Sequence, residues 1–416
     1  MPAVLDEPGF RLFWLGTVLS QIGTRGTVAA NLWQVLQLTN STLQVGLVGL
    51  AEALALLLLA PLGGVVADRI DRRTLLQVTQ STSLLASLAL TLVTMSGQVQ
   101  AWHIYTAVVA ISAAQSFEGP ARQAIIPALV RKERIVDAFA LVNPTRELAI
   151  LLGPSFAGIL IAAVGAGWVY AFDALTYGTL VVVLGVIALP RVAPAGKHQS
   201  VWRSIVEGFG YVKRRRLVWQ LMSLDFSATF FSAYRVILPS LARDILHVGA
   251  SGYGLLSAAP ALGAIVGSAV VFRMRRIRRK GALVLAATIG YALAAMLLAQ
   301  VPVFGIALVA AVSLGVFDAI TTTLRQAVVQ LDTPDSLRGR VTSAYQMVSR
   351  GGPSLGQAQM GALAASLGAP LALTVGASVT LFYAVWLSVA GRTVRDYRNR
   401  CVIPSSRGIS LQPASS

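Results

Sequence analysis

Apolar stretches of about 20 residues, the length an α-helix needs to cross the hydrocarbon core of a bilayer, recur along the whole chain and constrain its fold more than any other feature. They lie at 10–38, 43–67, 74–96, 102–129, 139–164, 168–189, 217–242, 253–272, 281–301, 303–331, 341–367 and 370–390. Charge is correspondingly scarce: 12% of the 416 residues are Asp, Glu, Lys or Arg, where a soluble chain carries about 25%. The strands of a closed membrane barrel would alternate apolar and polar residues over about 10 positions, and these runs do not alternate. The sequence therefore predicts an all-α membrane protein with twelve transmembrane helices in two pseudo-symmetric six-helix halves. The expected parts are an N-terminal half at 1–189, a cytoplasmic connector at 190–216, a C-terminal half at 217–391 and a cytoplasmic tail at 392–416, expected to be disordered.

The net charge of +17 raises the question of a nucleic-acid partner, and its distribution answers it. Arg25, Arg122, Arg146, Arg235, Arg325 and Arg350 fall inside spans, and Arg243 falls in a loop after an odd-numbered span. Every other lysine and arginine lies at the N-terminus, in a loop after an even-numbered span, or in the tail. By the positive-inside rule both termini are cytoplasmic. The charge is thus a topology signal and a contact for anionic lipid headgroups, with no nucleic acid among the expected partners. The expected location is the inner (plasma) membrane, crossed many times. Cys401, the single cysteine, forms no disulfide framework within one chain. His103, His198 and His247 have no metal-ligand spacing, so no metal site is expected. The first ten residues carry no basic segment of the kind that opens a cleaved signal peptide.

Short pieces of sequence repeat. Arg122-Gln123-Ala124 recurs as Arg325-Gln326-Ala327, and Leu152-Gly153 with Gly158 recurs as Leu355-Gly356 with Gly361, both at one offset. Val45-Gly46-Leu47 is echoed by Tyr253-Gly254-Leu255. Parallel repeats about an axis normal to the membrane are a design of secondary transporters whose site lies between the halves.

Between the second and third spans runs Gly63-Gly64-Val65-Val66-Ala67-Asp68-Arg69-Ile70-Asp71-Arg72-Arg73. It resembles the signature loop of the major facilitator superfamily, G-x-x-x-D-R-x-G-R-R, with Gly64, Asp68, Arg69, Arg72 and Arg73 in register and Asp71 where the pattern has its second glycine. The resemblance implies that Asp68 docks on the start of span eleven, near residues 340–343, when the cytoplasmic side is closed. Gly153-Pro154-Ser155-Phe156-Ala157-Gly158 in span five resembles the G-P-x-x-G-G motif of the superfamily's proton-coupled exporters, with Ala157 at the first glycine of the closing pair. The family's arginine motif near the start of span four is not evident. Phe10-Arg11-Leu12, Gln44 to Leu47, Arg235 to Pro239 and Leu337 to Arg340 are similar to the enterobactin-exporter branch, which also resembles multidrug exporters.

Ionisable residues inside a membrane cost about 2.5–3.5 kcal/mol at a helix centre, so each is a functional candidate. Arg25, Glu52 and Asp318 lie near mid-depth, and Asp225 and Arg235 share the seventh span. Glu52 or Asp318 is the expected proton carrier, with Arg25 or Arg235 as counter-charge or as partner for an anionic substrate. Glu118 and Arg122, four residues apart, read as a static pair on one helix face. Asp173 lies on span six, and Arg146 and Glu147 on span five. Trp33, Phe226, Phe230, Phe231, Phe317 and Tyr345 are candidate walls for an amphiphilic substrate.

No Gly-rich run ends in Gly-Lys-Ser or Gly-Lys-Thr, so no nucleotide-binding loop is present, and no cofactor or catalytic residue is expected. By resemblance the chain is a monomeric, non-enzymatic secondary transporter. It would export a small amphiphilic molecule, a siderophore or a hydrophobic drug, by proton-coupled alternating access. The alternatives are facilitated or proton-coupled uptake of a metabolite, and a non-transporting membrane sensor or assembly protein.

Overall fold

A computed structural model describes residues 3–187, 201–274, 279–335 and 337–397. All of the described elements are helical. The first bundle comprises α1 (Pro8–Thr39), α2 (Thr42–Arg69), α3 (Arg72–Met95), α4 (Ala101–Leu129), α5 (Ile135–Val164) and α6 (Ala166–Val186). The amphipathic connector helix α7 (Val201–Arg214) follows. The second bundle comprises α8 (Arg216–Phe231), the one-turn α9 (Leu238–Ser240), α10 (Gly249–Arg273), α11 (Lys280–Gln300), α12 (Phe304–Asp332), α13 (Arg338–Leu367) and α14 (Ala369–Ala390), closed by the short α15 (Arg392–Arg395).

Among the described residues nine segments are long and apolar enough to cross a membrane. Three further helices, α1, α4 and α13, are 32, 29 and 30 residues long but more polar. Their polar residues are spent inward. Thr17, Ser20, Thr27, Asn31 and Gln34 of α1 are buried, and Glu118 and Arg122 of α4 pair with each other. A helix that faces protein on most sides needs less apolar surface than one that faces lipid. Many exposed positions on the helices are apolar, as at Leu58, Leu85, Leu175, Phe382 and Val389.

Local chemistry sets the turns. Ser41 caps α2 by accepting from the Gln44 amide. Asp71, the residue at the signature's glycine position, caps α3: its carboxylate accepts from the Thr74 amide (3.1 Å) and the Thr74 hydroxyl (3.2 Å). An N-cap carboxylate satisfies amides that have no partner in the first turn. Gly165 and Gly368 join α5 to α6 and α13 to α14 at φ +94° and +81°, a region that residues with a Cβ avoid.

The seventh hydrophobic run, expected as one span over 217–242, is not one continuous helix. It breaks after Phe231, passes through a 3-10 turn at Tyr234–Val236 and α9, and ends in a π-helical turn at Leu241–Ile245. The break is supported by hydroxyls: Ser232 Oγ meets Thr380 Oγ1 at 2.9 Å, and the Thr380 hydroxyl also donates to Ser227 O at 3.0 Å. Irregular backbone at membrane depth is tolerated where neighbouring side chains satisfy it. Arg235 sits in this break.

The two ends of the assembly differ. One carries the described parts of the basic loops and the first and last described residues; the other, the neutral end, carries the short turns at Asn40, Gly97, Gly165 and Gly368. Near the neutral end a single hydrophobic core joins the bundles, running from Ala29–Leu36 and Val45–Ala51 through Tyr253–Ala259 to Leu373 and Ala377. Toward the basic end the core divides. One part, around Phe10, Leu75, Ile125 and Leu184, belongs to the first bundle; the other, around Leu221, Leu285, Val328 and Leu387, belongs to the second.

Candidate functional site

The bundles touch through two close crossings, α2 on α13 and α5 on α10. At the first, a Cβ on Gly46 would stand 2.9 Å from Gln357 O, and one on Gly361 would stand 2.7 Å from Gly46 Cα. At the second, a Cβ on Gly254 would stand 2.6 Å from Pro154 O and 2.8 Å from Gly158 Cα. Backbone meets backbone, which only a missing side chain permits. These are the repeated glycines of the sequence: Gly46 echoes Gly254 and Gly158 echoes Gly361. The contact Gly46–Gly361 is therefore the symmetry mate of Gly254–Gly158. Gly153 serves a different crossing, inside the first bundle, where its absent Cβ would lie 2.6 Å from Arg25 Cβ.

Further contacts close the neutral end. Trp33 stacks on Tyr253 at 5.3 Å between ring centroids, and the Tyr253 hydroxyl donates to Ala29 O at 3.0 Å. Trp33 is thus buried in this closure and is not a cavity wall. Arg243 of the second bundle donates to Asn40 Oδ1 (2.9 Å) and to Leu36 O (3.4 Å), capping the end of α1. Each hydrogen bond is worth about 1 kcal/mol net. Arg243→Ala is therefore expected to raise the reactivity of a cysteine placed at the buried Leu36 (Leu36→Cys, in a Cys401→Ser background) toward an impermeant thiol reagent several-fold, read as labelling rate against the parent.

Past the crossings, toward the basic end, charged side chains line the space between the bundles. Arg25 of α1 lies within electrostatic reach of Glu52, Arg146, Glu147 and Arg235. Glu52 of α2 also faces Arg235 and lies beside Ser354 of α13, on the opposite bundle. Arg235 and Asp318 keep exposed side chains although Tyr234, Val236 and Ile237 beside Arg235 are buried. They face a solvent-accessible cleft, not the protein interior. The structure thus brings Arg25, Glu52 and Arg235 into one electrostatic group, with Asp318 within electrostatic reach of Arg325 foremost and also of Arg235.

Asp225 does not join that group as a free acid. It is ion-paired with Arg325 at 2.6 Å, both side chains under 5% exposed, and it accepts from the Ser349 hydroxyl at 2.6 Å. Arg325 also donates to the Tyr345 hydroxyl (3.1 Å) and the Thr322 hydroxyl (3.2 Å). The pair ties α8, α12 and α13 together. Asp318 is linked to it through the Thr322 hydroxyl, 3.5 Å from its carboxylate.

Of the signature loop, the side chains of Gly64, Asp68 and Arg69 lie outside the described residues. Arg73 donates to Gly185 O at 2.5 Å, at the end of α6 in its own bundle, and Arg72 opens α3. The start of α13, where Asp68 is expected to dock, is held by the connector: Arg340 pairs with Glu207 of α7 at 2.6 Å. Nothing local in the sequence marks Ser354, Arg243 or Glu207 as cross-element partners. Tyr253 was within reach, because it immediately precedes the repeated Gly254.

The model of the family described as "Transmembrane secretion effector" matches residues 2–407. The "Enterobactin exporter EntS" of Citrobacter koseri is 28% identical over 377 residues, covering 90% of this chain and 89% of that protein. Among solved structures, a peptide transporter POT superposes with a TM-score of 0.76 at 10% identity, covering 94% of this chain and 96% of that one. A bacterial homologue of the lysosomal transporter Spinster, in an inward-facing and unoccupied conformation, superposes with a TM-score of 0.71 at 15% identity, covering 94% and 98%. At these identities the structural likenesses speak to the fold alone.

Proposed function

The chain belongs to the transmembrane secretion effector family of the major facilitator superfamily, and on that premise we propose that it exports a small amphiphilic molecule, siderophore-like or drug-like, by proton-coupled alternating access. Membership makes it a multi-pass membrane transporter of small molecules and not an enzyme. The proposal adds direction, substrate class and coupling. All twelve long helical segments cross the membrane as two six-helix halves, residues 1–189 and 217–391, joined by the connector 190–216. The basic end is cytoplasmic, and the cleft between the bundles opens toward it.

One observation carries this reading. The hydrophobic core is shared between the bundles near the neutral end and divided toward the basic end, with Arg25, Glu52, Arg235 and Asp318 in the cleft between. That is one state of a rocking pair of bundles. The arginines hold the anionic part of a substrate, and the apolar cleft walls hold the rest. Glu52 is the proton carrier best placed to report on the gate, because Ser354, which lies beside it, belongs to the opposite bundle. Ionised, it balances Arg25 and Arg235 and holds α13; protonated, it releases both. Asp68 with Arg69, Arg72 and Arg73 latches the cytoplasmic side in the opposite state.

The relatives' name supplies the first substrate to try. Energised everted membrane vesicles containing the protein should accumulate enterobactin, and collapsing the pH gradient should abolish the accumulation. Flux that survives the collapse would indicate facilitated movement instead. Glu52→Gln is expected to lower gradient-driven accumulation by about tenfold or more, the factor that 1.4 kcal/mol represents, while substrate exchange at equal pH continues. Loss of both would assign Glu52 to substrate binding.

A further inference from the structure

A second buried acid lies away from the cleft. Asp173 of α6 is fully buried, in a polar seam where α6 meets α1 and α3. Its Oδ2 accepts from the Ser87 hydroxyl of α3 at 3.2 Å. Its Oδ1 has no hydrogen-bond partner, and neither has the buried Thr27 hydroxyl of α1, which lies beside the carboxyl. Gly23, one turn earlier on α1, makes the room: a Cβ there would stand 2.7 Å from Asp173 Oδ1.

An isolated carboxylate at membrane depth is too costly to remain ionised without a partner. The titratable groups facing Asp173 are Tyr170 and Tyr177 of α6 itself. No basic side chain faces it from α1 or α3 among the described residues. On the α4 side, Arg122 interacts with Tyr177 and is paired with Glu118. A metal ion would need several oxygens at once, and the neighbouring Thr176 and Thr24 hydroxyls are engaged elsewhere. The Thr176 hydroxyl donates to the backbone oxygen of Asp173 itself (2.8 Å), and the Thr24 hydroxyl meets Tyr177 at 2.8 Å. One proton resolves both orphaned atoms: on Oδ1 it makes the carboxyl neutral and gives it a donor for Thr27.

We propose that Asp173 is a proton-binding site of this transporter, separate from the cleft, whose carboxyl carries a proton directed at the Thr27 hydroxyl while the neutral end is closed. Gly23 and Thr27 flank Arg25 on α1, so occupancy of this site is mechanically linked to the placement of a cleft charge. A shift of α1 relative to α6 that moves Arg25 also moves Thr27 off the acid.

Infrared spectroscopy of the purified full-length protein in sodium-free buffer at neutral pH tests the proposal. The expected result is a protonated-carboxyl carbonyl band that is lost in Asp173→Asn and displaced in Thr27→Val. Asparagine has the shape and neutrality of the protonated acid, so that variant should fold. If it does not, isotope labelling of aspartate in the wild-type chain identifies the band, with Thr27→Val as the second arm. A spectrum unchanged by Asp173→Asn, or an aspartate-labelled spectrum without the band, overturns the proposal. So does a band that disappears on adding sodium, which would make the seam a metal site.

Discussion

Gly254→Leu is expected to prevent closure of the neutral end and to reduce transport to background. The added Cβ would meet Pro154 O at 2.6 Å and Gly158 Cα at 2.8 Å. Both are backbone atoms of a packed helix, and neither can swing aside as a side-chain tip can. Overpacking of this kind costs about 1–3 kcal/mol, and under the alternating-access mechanism proposed above the cost falls on the closed state alone. A differential of that size moves a two-state equilibrium by roughly 5- to 150-fold. The check is labelling of Ala29→Cys, in a Cys401→Ser background, by an impermeant thiol reagent from the neutral side. Ala29 is buried with its carbonyl bonded to Tyr253, so the parent should react slowly and the leucine variant fast. Gly361→Leu should reproduce the effect through the symmetry-related crossing, where a Cβ would meet Thr42 O at 2.7 Å. Equal labelling of parent and variants would show that these crossings do not hold the gate.

Arg325→Ala is expected to destabilise the protein by about 3–5 kcal/mol, the usual consequence of leaving one member of a buried ion pair uncompensated. Asp225 would keep only the Ser349 hydroxyl as partner, at a depth where water cannot replace the guanidinium. Tyr345 and Thr322 would lose their donor as well. Asp225→Asn in the same chain removes the orphaned charge, so the double variant should melt closer to the parent than Arg325→Ala does. Thermal unfolding in detergent measures this directly. If the double variant were no better than the single one, the stabilising contact of Arg325 would be its packing on Tyr345 and not its charge. The paired Glu118 and Arg122 provide a comparison, since both sit on α4 and their loss should perturb one helix face and not the junction of three.

The charges were the legible part of the cleft, because a charge inside an apolar run stands out against its neighbours. Their grouping was less so. Asp225 and Asp318 look alike in sequence, two acids in apolar surroundings, yet one is locked to Arg325 and the other faces the cleft. The difference arises from α8, α12 and α13 meeting at one point, and no local pattern encodes that meeting. Asp71 departs from the family signature, and the departure becomes intelligible only as a helix cap. The break after Phe231 was hidden because hydropathy does not distinguish a continuous helix from an interrupted one. What permits it is the supply of hydroxyls from Ser232 and Thr380, which lie far apart in the chain.

The sequence by itself determined that this is a helical membrane protein with a repeated plan. The bilayer imposes a run length and forbids unpaired backbone, and both leave marks readable residue by residue. It also marked the glycines of the crossings, since a repeat displays its own symmetry. Only the tertiary structure decided which acids are paired and which are free, and that the bundles meet at the neutral end. It alone set Asp173 opposite Thr27. Those outcomes depend on distances between helices remote in sequence, and a buried charge takes its role from what stands across from it.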